Sequence, residues 1–167
     1  EEPGPAGEAA RKLAGQTLYD LNVKQYCCGG LNFGYFYDAS PLIAYDGESA
    51  PAYAMDQFTP STVPGCRTPH FWLADGRSLY DAMGPEYTLL RFDRAIDIGP
   101  LERAAARRGV PLALLDVQAE DVPSAYRNAL ALSRPDQHVA WRGDCLPEDP
   151  LALVDRMRGC FSGRTAL

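Results

Sequence analysis

The residues able to do chemistry in this chain are few, and their spacing excludes more than it supports. The five cysteines are Cys27, Cys28, Cys66, Cys145 and Cys160. No two follow a C-x-x-C spacing, so neither a dithiol redox centre nor a zinc knuckle is spelled out. Cys66 and His70 form C-x-x-x-H, but the second histidine, His138, stands far along the chain and no further ligand pair accompanies them. A metal site is therefore not expected. Cys66 with His70 or His138 could be drawn as a thiol–imidazole pair, yet packing and hydrogen bonding are the plainer expectation. Cys27 and Cys28 are adjacent and read as two ordinary thiols rather than a vicinal disulfide. Ser40, Ser61 and Ser78 sit at turns or caps, and no G-x-S-x-G places a serine as a nucleophile.

The elements that must position these residues follow from periodicity and punctuation. Leu13, Ala14, Thr17, Leu18 and Leu21 recur at helical spacing, which predicts a helix over residues 8–24 that Gly29-Gly30 ends. The aromatic run after it predicts strands near 33–37 and 42–45. Residues 46–69 carry four prolines and suit no regular element; such a loop is usually functional or packed on something else. A short strand is expected at 70–74, a turn at Asp75-Gly76, and a helix over 78–83 capped by Ser78 and stopped by Gly84. The second half reads strand (87–92), helix (from Asp97, with Pro100 in its first turn and Gly109 closing it), then strand (111–117, expected covered on both faces). Leu130–Ser133 and His138–Trp141 flank a four-residue turn as a hairpin, with Val139 and Trp141 on one face. Asp149-Pro150 opens a last helix with Val154, Met157 and Cys160 on one side.

A strand, a helical crossover, a second parallel strand, an antiparallel hairpin and a covering helix make an α/β, thioredoxin-like arrangement: a mixed sheet with flanking helices, preceded by a helix and a linking strand region. The organisation expected is residues 1–64 as that leading region, 65–162 as the thioredoxin-like domain and 163–167 as a tail. Thioredoxin chemistry needs a thiol at the end of the first sheet strand. Asp93-Arg94-Ala95-Ile96-Asp97 follows it, without cysteine, so redox activity of that type is not expected.

Composition bounds the partners. Sixteen Lys+Arg against 22 Asp+Glu give a formal charge of −6 with no basic cluster, which speaks against nucleic acid. No run approaches a membrane span, and the acidic start is not a secretory signal. An odd set of free thiols suits a reducing, cytoplasmic setting.

Several strings together are similar to the C-terminal part of the FAD-dependent phenol and polyketide hydroxylases, a group of aromatic-ring monooxygenases. They are Phe33-Gly34-Tyr35-Phe36-Tyr37 with Ser40-Pro41, Pro64-Gly65-Cys66-Arg67-Thr68-Pro69-His70, Leu73 to Asp81, Tyr87 to Phe92, and Ser133-Arg134-Pro135-Asp136-Gln137-His138-Val139-Ala140-Trp141-Arg142. The resemblance implies a parent enzyme that binds FAD in an N-terminal Rossmann-type domain, takes hydride from NAD(P)H and puts one oxygen atom into an aromatic ring. It implies a C-terminal thioredoxin-like domain without redox function, packed on the catalytic FAD domain as its partner and able to contribute to a homodimer. The dinucleotide fingerprint G-x-G-x-x-G is not present here, since Gly29, Gly30 and Gly34 have the wrong spacing. Gly143-Asp144 resembles the parent's Gly-Asp motif but follows Trp141-Arg142 directly, so Asp144 reads as a loop residue. No catalytic, FAD-binding or metal residue is expected in this segment.

Three residues stand out as interdomain or structural candidates: Arg67, His70 and Tyr37. Arg67 lies in a Pro/Gly-held loop where a guanidinium can pin carbonyls or a carboxylate. Loop scaffolding is the plain expectation; bracing the join with the catalytic domain is the sharper one. Tyr35, Phe36, Tyr37 and Tyr45 would be half core, half exposed patch, and the exposed half would promote self-association. The function expected is thus an accessory one, structural or dimerising, in an aromatic monooxygenase. The alternatives are a free-standing thioredoxin-like binding module in an aromatic polyketide pathway, or a thiol enzyme using Cys66 or the Cys27-Cys28 pair.

Overall fold

A computed structural model describes residues 3–118 and 122–161; the expected tail at 163–167 lies outside them. The chain divides into two compact units. The smaller holds the chain up to Tyr35 together with Ala52–Thr59, and the larger holds Phe36–Pro51 and everything from Pro60 onward.

The smaller unit contains α1 (Pro5–Tyr26) and α2 (Gly29–Phe33). Pro5 starts α1 where its missing N–H costs nothing. The helix predicted over 8–24 is thus present and longer. The glycines after it do not simply stop the run: Gly29-Gly30 open α2. The close approach of the 52–59 segment explains the choice of residue. A Cβ on Gly30 would lie 1.6 Å from the Ala54 carbonyl oxygen, so no side chain fits there. The strand predicted over 33–37 is not formed. Phe33 ends α2, and Gly34 donates to the Gly30 carbonyl as a helix cap. Its β-forming residues find no neighbouring strand, and β-propensity without a partner does not make a ladder.

In the larger unit the strand predicted over 42–45 is likewise a turn followed by extended chain. Ala44 donates a single bond to Ala140. Residues 46–69 carry no helix or strand, as expected. The strand predicted over 70–74 contracts to one bridge, Trp72 with Ser78. Then α3 (Leu79–Met83) is capped by the Ser78 side chain accepting from Tyr80 N–H, and Gly84 at φ 71° ends it.

The sheet has the order β2-β1-β3-β4. Its strands are β1 (Tyr87–Arg91), β2 (Leu112–Asp116), β3 (Leu130–Ser133) and β4 (Val139–Gly143). β1 and β2 are parallel across α4 (Gly99–Arg108), and β1/β3 and β3/β4 are antiparallel. This is the mixed sheet and element order expected. Gly109 closes α4 in the left-handed region, and the helix buries Leu101, Ala104 and Ala105. With α5 (Pro150–Met157) these cover Leu89, Leu130 and Leu132 on one sheet face. Phe71, Leu79 and Met83 cover Leu90 and Ala131 on the other. Three side-chain placements differ from expectation. β2 is an edge strand whose Ala113 and Leu114 are exposed, because the covering layers run out at the sheet's margin. Val139 and Trp141, expected on one face, pack differently: Trp141 joins Ala140 at the main core and Val139 does not, because the register shifts between Leu132 and Ser133 and interrupts simple alternation. Cys160 lies beyond the end of α5 and is exposed, off the helix face that Val154 and Met157 bury.

Candidate functional site

Two of the three residues singled out in the sequence, Arg67 and Tyr37, meet at one place, the turn between β3 and β4. Gln137 adopts φ 64°, the left-handed region that costs an ordinary residue roughly 1–2 kcal/mol. Three bonds hold it there. Its N–H donates to the Arg134 carbonyl at 2.9 Å, its carbonyl accepts from Thr68 N–H at 2.8 Å, and its side-chain oxygen accepts from Arg67 at 2.6 Å. The Arg67 guanidinium also lies 5.2 Å from the Tyr80 ring centre, and the Tyr80 hydroxyl donates to the Thr68 carbonyl at 2.7 Å. Arg67 is therefore fixed by the loop it stands in and by the turn that loop clasps.

Tyr37 reaches the same turn from the other side. Its hydroxyl donates to Asp136 at 3.3 Å, its ring meets His138 edge-on at 4.9 Å, and the Arg134 guanidinium sits 5.5 Å from its centre. Its backbone N–H donates to the Gly65 carbonyl, while Gly65 N–H and Cys66 carbonyl pair with Val139. Gly65 must be glycine: φ is 102°, and a Cβ would lie 2.1 Å from the Tyr37 carbonyl oxygen. His138 is fully buried, with Nδ1 2.9 Å from the Asp136 carbonyl. Burial opposes ionisation of Asp136, but hydrogen bonds from His138 and Arg134 and the Arg134 charge outweigh it and hold the carboxyl well below its usual range.

His70 does not join this cluster. It is exposed, its Nε2 pairs with the Ser78 hydroxyl at 2.9 Å, and its ring meets Trp72 and Tyr80 edge-on. Cys66 is buried while His70 is exposed. Burial pushes the Cys66 thiol up, so it does not present a ready thiolate. All five cysteines are unpaired thiols, and Cys27 is exposed. Among the described residues no group of three or more His, Cys, Asp or Glu could hold a metal, and no helix is long and apolar enough to cross a membrane.

A buried arginine is the feature that sequence reading missed. Arg142 is 4% exposed. It donates to Asp46 at 2.8 Å, to Thr62 at 3.1 Å and to Glu48, and Thr62 passes the network to the Ala125 carbonyl. Nothing local to Asp46 shows that its carboxylate serves an arginine 96 residues away.

The carboxyl ends of parallel strands are where open α/β sheets bind ligands, and here they are filled. Arg91 of β1 donates to Asp116 of β2 at 2.6 and 3.1 Å and to the Ile96 carbonyl at 3.0 Å. Carboxylates occupy the amide donors of the β1–α4 turn: Asp93 accepts from Ala95 N–H and Asp97 from Gly99 N–H. The cavity beside β2 measures 170 Å³.

Known proteins share this fold and its hairpin turn. The family of aromatic-ring hydroxylase C-terminal domains matches residues 61–162, and the chain belongs to it. Phenol 2-monooxygenase of Pseudomonas sp. (strain EST1001) is 31% identical over 96% of this chain and 29% of its own length. The FAD-dependent monooxygenase apdD of Emericella nidulans is 31% identical over 69% of this chain and 20% of its own. A chromopyrrolic acid-soaked structure of RebC superposes with a TM-score of 0.81 at 35% identity, over 96% of this chain and 30% of that one. The chain thus spans less than a third of the length of these relatives. At these strand ends Asp93 and Asp97 stand on the amides that a pyrophosphate-binding turn leaves bare.

Proposed function

We propose that this chain is the C-terminal accessory part of an FAD-dependent monooxygenase that hydroxylates an aromatic substrate, with FAD and NAD(P)H handled by another part of the same polypeptide. The observation that carries this reading is one of coverage: 96% of the chain superposes on RebC while filling 30% of it. In this reading the domain is thioredoxin-like in architecture, cytoplasmic, and without redox chemistry of its own. Its contribution is mechanical. Arg67 and Tyr37 lock the β3–β4 turn, and His70 and Ser78 fix the neighbouring loop, so that the domain presents a rigid surface to the catalytic FAD domain or to a second copy.

The test is flavin retention. The purified chain is mixed with FAD, desalted and examined for flavin absorbance, beside the intact polypeptide that carries it. The chain alone should keep no flavin and the intact polypeptide should keep about one equivalent per chain, as a tight single site requires. Flavin kept by the chain alone would overturn the reading.

A further inference from the structure

The large exposed apolar side chains are not spread evenly. Leu13, Leu18, Tyr19, Leu21 and Tyr26 lie on α1 and Leu31 on α2, all in the smaller unit. In the larger unit Tyr45, Trp72, Leu114 and Phe161 are scattered singly, which is normal for a protein surface. No residue of α1 from Glu8 to Leu21 is even half-buried, and Leu13, Leu18 and Leu21 are 71%, 61% and 67% exposed. At helical spacing Ala10, Leu13, Ala14, Thr17, Leu18 and Leu21 fall on one face, with Glu8, Arg11 and Lys12 off it. Small residues between leucines let a neighbouring element approach closely. A bare helix of this kind, with Gly15 inside it, gains little stability in water by itself. Its face is made to be covered.

What covers it follows from two boundaries. The family match starts at residue 61, just past the last residue of the smaller unit, Thr59. The RebC superposition nevertheless takes in 96% of the chain, so this stretch has its counterpart in a protein of which the whole chain is 30%. The smaller unit, like the Phe36–Pro51 stretch of the larger one, thus lies outside the match to the C-terminal family but within the stretch shared with RebC. Resting on the functional reading above, we infer that the smaller unit is a piece of the flavin-binding body's fold, and that the Leu13–Leu18–Leu21 face of α1 is the surface by which it packs into that body. The chain then carries the C-terminal domain together with a helical edge of its catalytic neighbour.

Two measurements test this. Hydrogen exchange on the chain alone should show α1 amides exchanging at least roughly 100-fold faster than those of β1 and β3, the signature of an uncovered element. In the intact polypeptide the same amides should be protected. There the triple variant Leu13→Glu, Leu18→Lys, Leu21→Glu should lose its FAD on desalting and melt earlier, while Leu114→Lys, an exposed apolar site of the larger unit, should keep both. The inference is overturned if the triple variant holds FAD and melts like the wild type. It is also overturned if the chain alone forms a discrete dimer that protects α1 and that the triple substitution abolishes, since the occupant is then a second copy. Absence of FAD from the wild-type intact polypeptide would instead remove the functional reading itself, and the inference with it.

Discussion

Asp136 is the residue on which the braced turn is most exposed to acid. Its folded-state pKa is depressed, so it contributes stability that is complete above the ordinary carboxylate pKa and is lost as pH falls through the folded value. Asp136→Asn removes that contribution along with part of the bonding to Arg134 and His138. The gap in urea midpoint between wild type and variant should therefore be full at pH 6 and narrow steadily below about pH 4. A gap independent of pH would mean the carboxylate's charge does not matter there. Cys66 gives a second reading of the same region. Burial raises its pKa and screens it from reagent, whereas Cys27, Cys145 and Cys160 are exposed. A disulfide reagent at neutral pH should label those three first and reach Cys66 at the rate of unfolding. Rapid labelling of Cys66 in the native chain would revive a thiol chemistry that its surroundings now speak against.

At the scale of elements, the junction between the 62–70 loop and the hairpin depends on backbone contact more than on side chains. Gly65 illustrates this: its φ of 102° and the Tyr37 carbonyl oxygen in its Cβ position make Gly65→Ala costly twice over. The variant should lose at least about 2 kcal/mol, seen as a lowered urea midpoint. By contrast Gly76→Ala, at φ 81° but facing open space, should lose only the conformational part, about 1 kcal/mol. The sequence announced the elements whose signals are local. Ser78 and Gly84 bound α3, Pro100 and Gly109 bound α4, and the Asp149 side chain caps α5 by accepting from Ala152 N–H. It misled at 33–37, where aromatic and β-forming residues lack a partner strand, and at 29–30, where glycines serve a close approach instead of a stop. Of the three candidate site residues, Arg67 and Tyr37 do converge on one turn, while His70 serves a neighbouring loop. The Arg142 network stayed invisible because its partners lie far away in sequence, and no periodicity or punctuation encodes a contact across that distance.

The whole molecule consists of two units with very different claims to stability. The larger has both hydrophobic clusters, the whole sheet and the buried arginine. The smaller has the longest helix, with its leucines in water. A chain built this way should not unfold as one cooperative unit, because α1 gains little from the sheet's collapse. The tryptophans separate the two signals. Trp72 and Trp141 both belong to the larger unit, whereas α1 contributes more helical residues than any other helix. On heating the chain alone, helical circular dichroism should fall gradually from low temperature, and tryptophan fluorescence should change later in a single sharp transition. Substituting Leu13, Leu18 and Leu21 together should leave the fluorescence midpoint where it was. If the two probes instead coincide and the triple substitution moves both, α1 is already packed within this chain, and its apolar face has no vacancy for the flavin-binding body to fill.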